Sequence, residues 1–394
     1  MMIKISRIKG MLLVALIFLS LANTLTNLQL DKLAFVLLAL AGAWLLRSRP
    51  VFSWDGAVVL SLLLVALVIS YLSSLVNYET VWHDSYLLLF FLIITWVISS
   101  CAVGNPRYFL NGFLFASAIY FLFGIGAWFY SQFTGEVHYV MPLYGKGRPD
   151  IFAALSFATT PQVYASVAAL ASIVALKLKA TAKSGSWYNV IILLALLAIV
   201  ISLNRVWLLY IPIILVAWGG RRVILAIVAL GVLLGGFLFF YSNVAFSFGT
   251  VSSRVMMLEH MLSFINEQSL LDLLLGNPFY IDSYFFMHGQ DFYYIESAPV
   301  YLVTKFGVLG LLISMLLLVY WLVKLSQKDV LLALFSVYYL VFVQMMTHEF
   351  FSISFWLYWV VFLCLFFLKK REINQSKAKH MEHESNESSL LRQA

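Results

Sequence analysis

The feature that most constrains this chain is a series of apolar runs that follow one another along almost its whole length. Of its 394 residues, 63% are hydrophobic and only 11% are charged, whereas soluble domains have about 45–50% apolar and about 25% charged residues. An apolar segment in a bilayer must satisfy its backbone hydrogen bonds internally, so runs near 20 residues predict transmembrane helices. The sequence therefore predicts an all-α integral membrane protein.

Twelve runs fit this description, which predicts a polytopic protein with about 12 transmembrane helices. Their approximate bounds are 11–26, 33–46, 57–76, 85–103, 110–130, 161–178, 188–203, 206–218, 223–241, 298–323, 330–346 and 351–368. Only Asn204 and Arg205 separate the seventh run from the eighth. We expect residues 1–368 to form a single membrane domain and residues 369–394, which are polar, to form a disordered cytoplasmic tail.

The positions of the basic residues support this number of spans and predict the orientation. With the N-terminus in the cytoplasm, the inner segments contain 19 of the 25 Lys and Arg residues, and every inner segment has at least one. This distribution obeys the positive-inside rule and places both termini in the cytoplasm. The formal net charge of +7 then reflects topology and contact with membrane lipid, and it does not indicate a nucleic-acid partner.

Three segments predicted on the outer side are more than simple turns, and the shortest of them is residues 77–84. Residues 131–160 form the smaller loop, and residues 243–296 form a large, polar and aromatic loop in which short helices are expected. A loop this long, with both signs of charge, is where we expect the chemistry of a membrane protein to take place. The sequence has no zinc-type Cys/His spacing, phosphate-binding glycine loop or dinucleotide motif.

Three arginines are predicted on the outer side, against the positive-inside trend: Arg148, Arg205 and Arg254. Arg148 lies in a glycine-rich turn shortly before the helix predicted at residue 161, and the other two lie at predicted helix starts. Helix N-termini offer free N–H groups and partial positive charge, and arginine offers two parallel donors, so both suit phosphate. The pattern favours an anion site; the alternative is that these arginines contact lipid headgroups or pair with nearby acids.

Candidate proton acceptors are predicted on the same side: Glu259, His260, His288, Glu296 and His348. Histidine exchanges protons near neutral pH, and a desolvated glutamate is shifted toward the same range. Glu296 directly precedes the span predicted at residue 298, so we expect it at the membrane surface. Each of these residues has the alternative interpretation of a solvated loop residue.

The order of these features resembles the bacterial O-antigen polymerase and O-antigen ligase superfamily. The matching motifs are Lys146-Gly147-Arg148, Asn204-Arg205-Val206-Trp207, Ser253-Arg254 before Leu258-Glu259, a Leu-Gly-Asn-Pro turn at 275–278, and Lys305-Phe306-Gly307-Val308-Leu309-Gly310-Leu311, which looks like the Gly-x-x-Gly helix of that superfamily. They extend over roughly residues 145–318. Ligases of the superfamily carry a histidine just before that helix, whereas this chain has Ile295-Glu296-Ser297, so the resemblance favours a polymerase.

The resemblance implies a membrane glycosyltransferase of lipopolysaccharide or related surface-polysaccharide biosynthesis, located in the bacterial inner membrane with its site on the periplasmic face. It implies an undecaprenyl-diphosphate-linked oligosaccharide as substrate and a chain-length regulator and a flippase as partners, with no metal or cofactor. The alternatives are an O-antigen ligase, which moves glycan to lipid A, and a polysaccharide transporter or flippase.

The resemblance also implies roles for the candidate residues. The diphosphate would be bound by Arg148, Arg205 and Arg254. The catalytic base would be Glu296 or His288. Glu259, His260 and His348, which the sequence places on the same side, are candidates for a supporting role.

Overall fold

A computed structural model of the chain describes residues 2–22, 30–47, 83–143, 148–182, 185–219, 259, 266, 269–276, 286–287, 290–291, 297–346 and 349–368. This part of the protein is mostly helical. Its helices are α1 (Met2–Leu21), α2 (Leu30–Leu46), α3 (His83–Ala102), α4 (Pro106–Thr134), α5 (Pro161–Thr181), α6 (Ser186–Ile201), α7 (Arg205–Leu208), α8 (Ile211–Gly219), α9 (Leu270–Leu275), α10 (Ala298–Ser326), α11 (Val330–Val337), a π-helical stretch (Tyr338–Val343), α12 (Gln344–Met346) and α13 (Ile353–Leu368).

Three of the described helices, α4, α5 and α10, are long and apolar enough to cross a membrane. Shorter apolar helical segments accompany them, namely Leu87–Ala102, Ser186–Ile201, Arg205–Gly219, Val330–Met346 and Ile353–Leu368. The described part of the chain is thus consistent with an all-α membrane protein. The spans predicted at 57–76 and 223–241 lie outside the described residues, and the number of 12 spans and their orientation stay predictions.

Local sequence explains where several helices begin. Pro106 and Pro161 occupy the first turn of α4 and α5, where a missing N–H removes no intrahelical hydrogen bond. Thr160 caps α5 by accepting a hydrogen bond from the backbone N–H of Val163. Asn204 caps α7 in the same way, so the short polar break that the sequence shows after the seventh run does separate two helices.

Helix α5 lies at the centre of the described bundle, because every side chain from Gln162 to Leu176 is buried. Many of these residues are alanine or serine, and small side chains let neighbouring helices approach closely. By contrast, α10 exposes large apolar side chains such as Leu312, Leu316 and Val319. In a membrane, lipid tails cover such a face without cost.

The two ends of α5 differ in chemistry. At one end Lys177 forms an ion pair with Asp329, with 2.6 Å between Nζ and Oδ2, and the Arg107 guanidinium donates to the carbonyl of Thr181. The charge pattern assigns all of these residues to the cytoplasmic side. The opposite end, which begins at Pro161, follows the smaller loop predicted on the outer side.

Two short β-hairpins interrupt segments in which only helices and loops were expected. Strand β1 (Val140–Leu143) pairs antiparallel with β2 (Arg148–Ala154), and β3 (Phe286–Met287) pairs with β4 (Gln290–Asp291). The register of the first hairpin shifts between Pro142 and Leu143, since proline lacks the N–H that a regular ladder needs. The indole of Trp128 on α4 donates to the carbonyl of Phe152 and ties this hairpin to the bundle.

Helix α10 is interrupted at Gly307, although the sequence predicts one continuous span there. Gly307 has φ 67° and ψ −177°, a conformation essentially confined to glycine. A Cβ on Gly307 would lie 2.2 Å from the carbonyl oxygen of Leu274, and a Cβ on Gly276 would lie 2.5 Å from the carbonyl of Lys305. The interruption therefore lets Gly276, at the end of α9, pack directly against the α10 backbone.

Candidate functional site

The most unusual polar residue in the described bundle is Glu349, which lies between α12 and α13. Its side chain is buried, with the residue only 3% exposed. Burying a carboxylate is costly unless hydrogen-bond donors replace water. The surroundings of Glu349 supply such donors from distant parts of the chain.

Two hydroxyl groups donate to the Glu349 carboxylate. The Ser166 hydroxyl on α5 lies 2.6 Å from Oε1, and the Tyr339 hydroxyl on the π-helical stretch lies 2.6 Å from Oε2. The backbone N–H of Glu349 donates to Oε1 of Gln344 at 2.9 Å. π-helical turns often occur at functional sites, and Tyr339 lies on such a turn.

The same network holds the short helix α7. The Trp207 indole N–H donates to Oγ of Ser166 at 2.9 Å, so a continuous chain of hydrogen bonds runs from Trp207 through Ser166 to Glu349. The Asn204 amide donates to Oε1 of Gln162 at 3.0 Å, while its Oδ1 accepts from the first N–H groups of the helix. The Tyr338 hydroxyl donates to the carbonyl of Val206.

Aromatic rings shield these polar groups from solvent. Trp207 is fully buried and its ring lies 5.5 Å from that of Tyr338, 5.8 Å from that of Tyr339 and 6.1 Å from that of Phe335, measured between centroids. Low local polarity strengthens each hydrogen bond in such a network. We name the group formed by Gln162, Ser166, Asn204, Trp207, Tyr339, Gln344 and Glu349 the carboxylate network.

Burial raises the pKa of the Glu349 carboxyl from its ordinary value of 4.5 to about 7. The hydroxyls of Ser166 and Tyr339 and the adjacent amide of Gln162 favour the charged form and oppose this shift, but desolvation is the larger effect. Glu349 therefore changes its charge in the physiological range. A buried acid with such a pKa, linked to a helix that begins with an arginine, is a candidate functional group.

Arg205 is the first residue of α7, as the sequence predicts. Its side chain is half-buried, and its helix is fixed on one side by Gln162 and on the other by Tyr338. The position of Arg205 is therefore set by the carboxylate network rather than by a flexible loop.

Arg148 has a different setting from the predicted one. It is the first residue of β2 and is in register with Leu143 of β1, so hairpin pairing holds its backbone in an extended conformation away from a helix start. Glu259 is exposed. The remaining predicted site residues, Arg254, His260, His288, Glu296 and His348, lie outside the described residues, and their roles stay predictions.

Glu349 is the functional candidate that the sequence reasoning did not single out as a site residue. The sequence does show an acid beside an aromatic, apolar run, Phe350 to Trp356, and this is the signal that predicts desolvation. Its main partner, Ser166, is 183 positions away along the chain, so the sequence pattern alone gave no indication of the network.

Lys305 is another buried charged residue, only 5% exposed, and it lies two residues before the interruption of α10. Within the described residues, no group of three or more His, Cys, Asp or Glu is placed to hold a metal ion. That the whole protein needs no metal or cofactor stays a prediction.

No protein-family model matches the sequence, and no curated protein matches it.

Proposed function

We propose that the chain is a membrane glycosyltransferase that polymerises a surface polysaccharide, such as O-antigen, from repeat units linked to undecaprenyl diphosphate. The observation that carries the proposal is the setting of Arg205, a half-buried arginine that begins a helix fixed by a buried network at one end of an apolar bundle. An arginine held in this way offers preorganised donors to a diphosphate.

Contact between the motifs that carry the resemblance adds support. Gly276 of the Leu-Gly-Asn-Pro motif closely approaches the backbone of the helix that contains Lys305 and Gly307. Asn204 and Trp207 of a third motif both belong to the carboxylate network. Residues that resemble family motifs thus have specific structural roles in the fold.

In the proposed reaction, the arginines hold the diphosphate of one carrier-linked chain. A hydroxyl of the incoming carrier-linked repeat attacks the anomeric carbon, and a new carbon–oxygen bond forms as the bond to the diphosphate breaks. The hydroxyl proton passes to Glu296 or His288. The lipid diphosphate leaves with its negative charge stabilised by Arg205, Arg254 and Arg148.

Arginine substitutions test these roles. Arg205→Ala and Arg254→Ala should each lower the polymerisation rate by about 10²-fold or more. The polysaccharide chains should then be much shorter, with the protein level unchanged. The matched control is Arg107→Ala, which removes an arginine that is also in the first turn of a helix but at the other end of α5. Normal chain lengths in both Arg205→Ala and Arg254→Ala would overturn the proposed roles.

A polysaccharide transporter is the second candidate, because one observation favours it. Helix α10 is interrupted at Gly307 beside the buried Lys305, and interrupted helices with buried charges are typical of transport pathways. Movement of lipid-linked glycan across vesicles containing the purified protein, without glycan elongation, would favour this function over polymerisation.

A further inference from the structure

Glu349 cannot meet a substrate in the described conformation, because only 3% of its surface is exposed. A role in the chemistry must therefore act through its partners. Each partner of its carboxylate, Ser166 on α5 and Tyr339 on the π-helical stretch, belongs to an element that also holds α7.

We propose that Glu349 is a positioning residue that fixes α7, and with it Arg205, by joining the two elements that hold this short helix on either side. The proposal rests on the proposed function for the ligand of Arg205, but the placement of Arg205 can be tested without that ligand.

The first connection runs through one hydroxyl group. Ser166 donates its proton to Oε1 of Glu349 and accepts at Oγ from the indole of Trp207. Since the carboxylate fixes the direction of the Ser166 proton, it also fixes the lone pair that the indole uses. Trp207 is two residues after Arg205 on the same four-residue helix.

The second connection runs through adjacent tyrosines. Tyr339 donates to Oε2 of Glu349, and its neighbour Tyr338 donates to the carbonyl of Val206. A four-residue helix has too few internal hydrogen bonds to hold its own position. Outside contacts on both sides must therefore set its orientation.

A purely structural role for Glu349 predicts lower stability without a specific effect on Arg205. The two native cysteines, Cys101 and Cys364, are both buried, so a cysteine placed at position 205 can be followed by its rate of reaction with a charged methanethiosulfonate reagent. This rate reports the local position of residue 205 in the absence of any substrate.

The experiment combines Arg205→Cys with Glu349→Ala, Glu349→Gln or Ser166→Ala in the full-length protein in detergent. We expect Glu349→Ala and Ser166→Ala to change the reaction rate by about tenfold, and Glu349→Gln, which keeps the side-chain shape and one acceptor oxygen, to change it less. The matched control is Ser172→Ala on the same helix, whose buried hydroxyl donates to the carbonyl of Ala169. It should leave the rate unchanged.

Equal rates in the Ser166→Ala, Glu349→Ala and Ser172→Ala backgrounds would overturn the proposal. Because Ser166→Ala removes only one hydroxyl, it decides the question even where Glu349→Ala does not fold. Binding of farnesyl diphosphate as a lipid-diphosphate probe gives a second readout: Glu349→Gln should weaken it in the wild-type background and have no further effect in Arg205→Ala.

The two readouts separate the two claims. If Arg205→Ala binds the probe as wild type does, the proposed diphosphate role is wrong, whereas the reaction rates at position 205 still decide whether Glu349 positions this residue. An additional loss of binding on adding Glu349→Gln to Arg205→Ala would show that Glu349 acts by another route.

Discussion

Glu349 is a buried carboxyl whose pKa is raised by desolvation, so it couples the stability of the fold to pH. Its pKa of about 7 means that the folded protein holds a proton that the unfolded chain, with an ordinary carboxyl, releases at lower pH. Protonation therefore stabilises the fold fully below about pH 4.5, and this contribution is lost as the pH rises through 7. The difference between the pKa values of the folded and unfolded states corresponds to roughly 3 kcal/mol in the free energy of unfolding.

This difference predicts a pH-dependent stability that a neutral side chain abolishes. The thermal unfolding midpoint of the wild type in detergent should decrease as the pH is raised from 5 to 8. The Glu349→Gln variant should show a flatter dependence of this midpoint on pH in that range. The control is Glu136→Gln, which removes an exposed carboxylate and should leave the wild-type curve unchanged. Parallel curves for wild type and Glu349→Gln would show that Glu349 does not change its charge in this range.

At the scale of residues, the sequence predicted some features and missed others for a physical reason. Asn204 and Arg205 are correctly predicted as a helix boundary, because capping depends on residues that are adjacent in the chain. The role of Glu349 depends on Ser166 and Tyr339, which only the packing of three helical segments brings together. Such long-range contacts leave no local pattern in the sequence.

Among the secondary-structure elements, α10 departs most from its predicted form. Its apolar pattern predicts an unbroken helix. The helix is instead interrupted at Gly307, where its backbone lies in close contact with Gly276. The hairpin of β1 and β2 was missed because its strands are only four and seven residues long and their pairing joins separate segments, which leaves no local pattern in the sequence. By contrast, most helix boundaries match the predicted runs closely.

The glycine contact gives a sharp prediction for this element. Gly307→Ala should destabilise the protein by at least about 1–3 kcal/mol, which is the cost of the backbone strain alone. An added Cβ would in addition lie 2.2 Å from the Leu274 carbonyl oxygen. The matched control is Gly126→Ala on α4, where a Cβ meets nothing within 4 Å and alanine favours the helix. Thermal unfolding in detergent measures both, and equal midpoints for the two variants would contradict the described contact.

For the whole molecule, the contacts agree with the predicted grouping of segments by side. Lys177 and Asp329 meet at one end of α5, whereas Gln162, Asn204 and Glu349 meet at the other, and the charge pattern had assigned each group to a single side of the membrane. The sequence can predict such a grouping because charge and apolar length are global properties that do not depend on detailed packing. The identity of each side stays a prediction.

The glycan ladder of a strain that lacks this protein tests the proposed polymerase function most directly. Electrophoresis of the lipopolysaccharide should show lipid A core carrying no more than one repeat unit, and expression of the wild-type protein should restore long chains. Long chains that persist without the protein would contradict the proposal. Polymer that accumulates on the lipid carrier and is absent from lipid A would also contradict it and would identify a ligase.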